Sequence, residues 1–164
     1  MGSADELVDI VDEHDRVVRV ATRREMRVGR LRHRTVFVVV TSSSGDVLVH
    51  RRADHKDVWP GRWDLAAGGV LASGETYDDG AVRELAEELG IEDVALERLG
   101  AGTYEDADVA EIAVVYRVRW DGRVRFADGE VSEAHWMTLE KIQRGAAGSL
   151  DFVPDSVALV LPLL

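Results

Sequence analysis

The sequence predicts a mixed α/β (α+β) chain, and three stretches predict it. Thr35–Thr41 (TVFVVVT) is β-branched and almost continuously apolar, the pattern of a strand buried on both faces. Ile112–Trp120 (IAVVYRVRW) is another strong strand, alternating towards its end. Between them, Thr76 with Asp79 reads as a capping box and Gly90 as a left-handed stop, so the residues they enclose form a helix.

The remaining elements follow from the same signals, taken along the chain. Leu7–Val11 and Arg16–Ala21 are short apolar runs separated by Glu13-His14-Asp15, which predicts an N-terminal hairpin in an extension of about residues 1–30. Thr22–Arg34 is dense in arginine and forms a solvated loop or short helix, or else offers guanidinium groups to a phosphate. After the central strand, Ser42–Asp46 is a turn and Val47–Arg52 the return strand. Trp63–Ala67 is a short strand that feeds a Gly68-Gly69 turn. Val94–Thr103 is a strand, and Val124–Phe126 pairs back on Ile112–Trp120 through an Asp121-Gly122 turn. Ala134–Met137 is the last strand, followed by a helix that Thr138 caps and Gly145–Gly148 breaks. A final helix starts at Asp155 or Ser156. No repeat or linker interrupts the 164 residues, so one domain is expected.

Composition narrows the class of function. Lys and Arg number 20 against 31 Asp and Glu, a net charge of −11, so a nucleic-acid backbone is not the expected partner. There is no Cys, which excludes disulfides, thiolate metal sites and cysteine nucleophiles. The N-terminus holds Asp5, Glu6 and Asp9 where a secretory signal would be basic and then apolar. Apolar runs stay far below the ~20 residues of a membrane span. A cytoplasmic location and no membrane partner are expected.

The chemistry concentrates on the capped helix. Glu84, Glu87 and Glu88 share one arc at i, i+3 and i+4, while Ala81, Val82, Leu85, Ala86 and Leu89 take the adjoining, core-facing arc. Carboxylates so placed repel one another by roughly 0.2–0.5 kcal/mol per pair. A hard divalent cation, which takes oxygen ligands, would relieve that repulsion. Gly80, one turn before Glu84, reads as room for a ligand.

The spacing around this helix extends to residues 69–91: Gly69, Glu75, then Arg83-Glu84-Leu85-x-Glu87-Glu88-x-Gly90-Ile91. It matches every defined position of the Nudix box, and the chain resembles the Nudix hydrolases, which split a nucleoside diphosphate linked to another moiety. The resemblance implies an α/β/α sandwich, Mg²⁺ or Mn²⁺ as cofactor, a small diphosphate-containing substrate, and a homodimer. Glu84, Glu87, Glu88 and the backbone of Gly69 would hold the metal, and Arg83 would pair with Glu75 to brace loop against helix. A general base outside the helix is expected at Glu111, or at Glu130 or Glu133, and diphosphate contacts at Arg51, Arg52 and Lys56.

Three further segments resemble the branch containing isopentenyl-diphosphate isomerase: Leu31–Arg34, Arg51–Trp63 and Glu130–Trp136. The isomerase chemistry needs a Cys that here is Gly68, and one of its metal-binding histidines is Val70. With all three box carboxylates kept, a hydrolase is the leading reading. An isomerase-like enzyme and a non-catalytic nucleotide-sensing module are the alternatives.

Overall fold

The computed structural model describes residues 3–164, so the first two residues of the expected N-terminal extension lie outside it. In chain order the elements are β1 (Leu7–Val11), β2 (Val17–Thr22), α1 (Arg23–Val28), β3 (His33–Thr41), β4 (Val47–Arg52), β5 (Trp63–Asp64), β6 (Ala67–Val70), α2 (Tyr77–Leu89), β7 (Glu97–Glu105), β8 (Ala110–Arg119), β9 (Val131–Met137), α3 (Leu139–Arg144) and α4 (Pro154–Leu159).

Strand β3 is the axis of the sheet. It runs parallel to β8, from His33 opposite Glu111 to Thr41 opposite Arg119, and antiparallel to β6. Its β-branched residues fill both faces, because successive side chains of a strand point to opposite sides. Val36, Val38 and Val40 meet Leu85 and Leu89 of α2, whereas Phe37 and Val39 meet Ile142 of α3 and the C-terminal segment at Phe152 and Val160. The result is the expected α/β/α sandwich around a mixed sheet. Strands β9, β4 and β5 form an antiparallel wing that joins β3 through Thr41 and Val47. The hairpin of β1 and β2 joins the same strand through Ile10 opposite His33.

That hairpin is tied to the residues that begin the box. Asp9 is buried and accepts from Ser73 Oγ at 2.7 Å and Gly74 N at 3.0 Å. Helix α1 follows at once, with a reciprocal capping box between Thr22 and Glu25. The Arg-rich stretch is therefore a short helix carried on the hairpin.

Four sequence expectations need correction. Gly68 and Gly69 lie in β6, paired with Phe37 and Val36, and do not form a turn. Crowding demands glycine at Gly68, where a Cβ would lie 2.0 Å from the Val36 carbonyl oxygen; at Gly69 a Cβ would lie 2.5 Å from Glu84 Oε1 and displace that carboxylate. Gly80 leaves no room for a ligand, since its Cβ would lie 2.7 Å from Leu71 Cδ2; it permits the box loop to pack on the helix. Val82 is 53% exposed, because α2 meets the sheet through Ala81, Leu85 and Leu89 alone. Val124–Phe126 is not a strand; Arg125 N bonds instead to Leu89 O at 2.8 Å, closing the end of α2.

Candidate functional site

The site begins with how α2 tolerates its own charge. Arg83 is the hub: its guanidinium donates to Glu75 Oε1 at 2.7 Å and Oε2 at 2.9 Å, to Glu84 Oε1 at 2.8 Å and to Glu87 Oε2 at 3.2 Å. The planar fork thus bridges loop and helix, as expected for Arg83 with Glu75. Glu75 also accepts from Ala72 N, which fixes the loop before the helix cap at Thr76.

Glu88 stands outside the Arg83 network. It is 3% exposed, and its Oε2 accepts from Gly68 N at 3.2 Å. Burial pushes its carboxyl well above the ordinary range, and the neighbouring Glu84 carboxylate pushes it further. Glu84, 8% exposed, is also raised by burial, even against the pull of Arg83. Two buried carboxyl groups that resist ionising together are suited to a cation. Among the described residues no group of three Asp, Glu or His side chains is already gathered as a metal cage.

These carboxylates floor a cavity of about 320 Å³. Gly69, Glu84, Glu88, Asp57, Asp128 and Glu130 line it, together with the basic side chains of Arg23, Arg24 and Arg27 of α1 and of Lys56. Lys56 is ion-paired with the buried Glu130. Asp57 holds Arg27 at 3.0 Å and Arg23 at 3.6 Å. Arginine guanidinium groups and acidic oxygens lining one cavity suit a ligand that brings both phosphate and metal.

A smaller cavity of about 60 Å³ adjoins it, sharing Gly68, Gly69 and Lys56. Glu111 and Asp155 line this second space with Thr35 and Asp64. Glu111, expected just ahead of a strand, lies inside β8 and is 4% exposed. Burial raises its pKa to about 7, and a hydrogen bond from Asp155 works against that rise.

The structure separates the expected phosphate contacts. Arg52 lines the smaller cavity, donates to Val58 O at 2.9 Å and stands 3.5 Å from Asp64. Arg51 points the other way, donating to Gly61 O at 2.9 Å, and lines neither cavity. Adjacent residues of one strand cannot both face the site. His33 is buried with Nδ1 2.9 Å from Leu31 O, and burial lowers its pKa to about 4, so it is a neutral structural imidazole.

Residues that sequence reasoning missed are Thr35, Asp57, Asp64 and Asp155. Asp64 did leave a trace, a carboxylate in a run expected to be a strand. Asp155 left none, because a residue that opens a helix is ordinarily acidic for capping alone.

A family model for the NUDIX domain matches residues 31–156. The chain belongs to the Nudix hydrolase family. A Nudix hydrolase of Streptomyces coelicolor is 43% identical to it over 96% of this chain and 88% of its own length. The Nudix hydrolase YfcD of Escherichia coli K12 is 38% identical over 93% and 83%. Among solved structures, the crystal structure of DR0079 from Deinococcus radiodurans superposes with a TM-score of 0.85 at 28% identity, covering 96% of this chain and 99% of that one. Nudix hydrolases act on the pyrophosphate bonds of phosphorus-containing acid anhydrides and generally use divalent metals such as Mg²⁺ or Mn²⁺.

Proposed function

We propose that this Nudix hydrolase cleaves the diphosphate linkage of a small nucleoside-diphosphate-type substrate with the help of Mg²⁺ or Mn²⁺. The observation that carries the reading is one cavity lined both by carboxylates, Glu84, Glu88 and Glu130, and by cations, Arg23, Arg27 and Lys56. A diphosphate bound there would meet guanidinium and ammonium groups as well as a carboxylate-held cation.

Glu84, Glu88 and the Gly69 backbone would hold the metal, with Glu87 joining by exchange against Arg83. Their buried, mutually raised carboxyl groups fit a cation's charge and oxygen preference. The ion would supply a lowered pKa for bound water and neutralisation of the diphosphate. Arg83 keeps the carboxylates in register with the loop, and Asp57 aims the α1 arginines. Glu111 suits the role of proton acceptor better than Glu130, which is already committed to Lys56. In the reaction a water proton passes to Glu111 as the water oxygen bonds to phosphorus. The bond from phosphorus to the bridging oxygen then breaks, and its electron pair leaves with the departing phosphate.

The test is a panel of nucleoside diphosphates, sugar nucleotides and prenyl diphosphates with Mg²⁺ or Mn²⁺, with released phosphate or monophosphate as readout. Wild type is run beside Glu84→Gln and Glu88→Gln. Metal-dependent turnover that both substitutions abolish is expected. Binding without turnover on every compound would replace the hydrolase reading with a sensing module.

A further inference from the structure

We infer that Asp155 is a positioning residue of the hydrolytic site, sharing one proton with Glu111 so that α4 governs when Glu111 can accept the proton of the attacking water. The inference rests on the proposed role of Glu111.

The two carboxyl groups come from distant parts of the chain, β8 and the first turn of α4, and are brought together in the smaller cavity. Both are almost fully buried, at 4% and 7% exposure. Two carboxylates in one dry space cannot both ionise cheaply, and the stable state keeps a proton between them. Asp155 is held well above its usual range by burial first and by the charge of Glu111 next, which makes it the member that retains the proton. Its other commitments are local: Oδ1 accepts from Ser156 N at 2.7 Å, while Ser156 Oγ donates to Asp64.

The cavity side of the pair is open for chemistry. Glu111 Oε1 and Thr35 Oγ1 are both buried and their residues line the cavity; neither makes a well-formed hydrogen bond, although the Thr35 hydroxyl is near enough to help Glu111 ionise. A space of about 60 Å³ with two orphaned polar atoms is sufficient for an ordered water. The same cavity shares Gly68 and Gly69 with the larger one, so a proton taken up at Glu111 comes from beside the box helix. The other ionisable groups around Glu111 are Arg27 from α1, His33 from β3, Asp64 from β5 and Tyr104 from β7, with Arg23, Arg52, Lys56 and Asp57 lining the same cavity. Arg27 is engaged by Asp57 and His33 stays neutral, which leaves Asp155 as the acid beside Glu111, with the Thr35 hydroxyl as its neutral neighbour.

The sign of the effect follows from which member donates. Protonated Asp155 donates to the Glu111 carboxylate and so helps it ionise. Asp155→Ala removes that donor and leaves Glu111 buried, so Glu111 must titrate higher. Asp155→Asn keeps an N–H donor of similar shape.

Two measurements on the full chain decide it. In the metal-free protein, ¹³C carboxyl shifts are followed with pH for Glu111 in wild type, Asp155→Ala and Asp155→Asn, and for Asp155 in Glu111→Gln. Glu111 in Asp155→Ala should titrate higher by roughly one pH unit or more, Asp155→Asn should restore it towards wild type, and Asp155 in Glu111→Gln should fall. The acid limb of the pH–rate profile on whichever panel compound is turned over should move in step. A Glu111 titration that ignores both Asp155 substitutions, or an Asp155 that titrates unchanged in Glu111→Gln, overturns the pair. If the titrations behave as expected while the rate limb stays put, the link to the reaction is overturned. Loss of the hydrolase reading would show separately, as turnover indifferent to Glu84→Gln and Glu88→Gln.

Discussion

Two clusters of buried acid lie side by side in this protein and solve the same problem differently. Around α2, the repulsion among Glu84, Glu87 and the loop residue Glu75 is met by one arginine, with Arg83 touching all three. In the neighbouring cavity, among the described residues no arginine is ion-paired with Glu111 or Asp155, Arg27 acting on Glu111 only from a distance, and the proton the pair shares takes that place. Arg52 is ion-paired with Asp64, at 3.5 Å, and His50, packed near Asp64, is neutral. A cluster neutralised by a fixed cation keeps its charge across pH. A cluster neutralised by a proton is responsive to pH, a property that suits a proton acceptor.

The largest effect expected from this contrast is on the reaction. Replacing Glu84 and Glu88 together by Gln should lower metal-dependent turnover by about 1,000-fold or more, measured as released phosphate with Mg²⁺. A double variant that retained a tenth of the wild-type rate would remove α2 from the chemistry.

Next comes the backbone that lets the two cavities touch. Gly68→Ala puts a Cβ 2.0 Å from the Val36 carbonyl oxygen in the middle of the β3–β6 pairing. Rigid backbone cannot yield, so urea denaturation should show a loss of about 3 kcal/mol or more. An unaltered midpoint would mean that β6 can move away from β3.

Arg83→Ala should cost about 1–3 kcal/mol, reduced from the fully buried case because Arg83 remains partly exposed. Arg83→Lys should restore only part of this, since a single ammonium cannot span Glu75, Glu84 and Glu87. Equal stability of the lysine and arginine forms would argue against the fork as the brace.

The smallest effect concerns His50. Burial holds its pKa at about 4 in the folded chain against an ordinary 6.5, so the unfolded chain takes the proton first as pH falls. Its contribution is full above the unfolded value and is lost as pH drops through that range towards 4. His50→Gln should therefore gain on wild type between pH 7 and pH 5, by roughly 1–2 kcal/mol, read from urea midpoints at the two pH values. A constant gap would mean that His50 is charged in the fold.

The box helix was legible because its instructions are local. Thr76, Gly90 and the Arg83–Glu88 run act within a few residues of one another, and hydrogen bonds and pairs at i, i+3 and i+4 do not depend on the rest of the chain. The β-branched run of β3 was legible for the same reason, since it must be buried on both faces wherever it lies. The Gly68-Gly69 pair shows the limit. Sequence marks a place where a side chain is not wanted but does not say whether the cause is a turn or a neighbour, and here the cause is Val36 and Glu84.

What the chain order alone settled, then, is the α/β class, the central strands, the acid-faced helix and the hydrolase family to which these residues point. Folding settled which side chains share a space. Arg51 and Arg52 stood equal in sequence, and strand alternation sends only Arg52 to a cavity. Arg23 and Arg27 became a wall of the site through the hairpin anchored at Ser73 and Gly74. Asp155 met Glu111 across 44 residues of chain (155 − 111), a distance no local pattern spans. Such meetings are decided by packing, where burial raises the cost of charge and distant carboxyl groups must settle it between themselves.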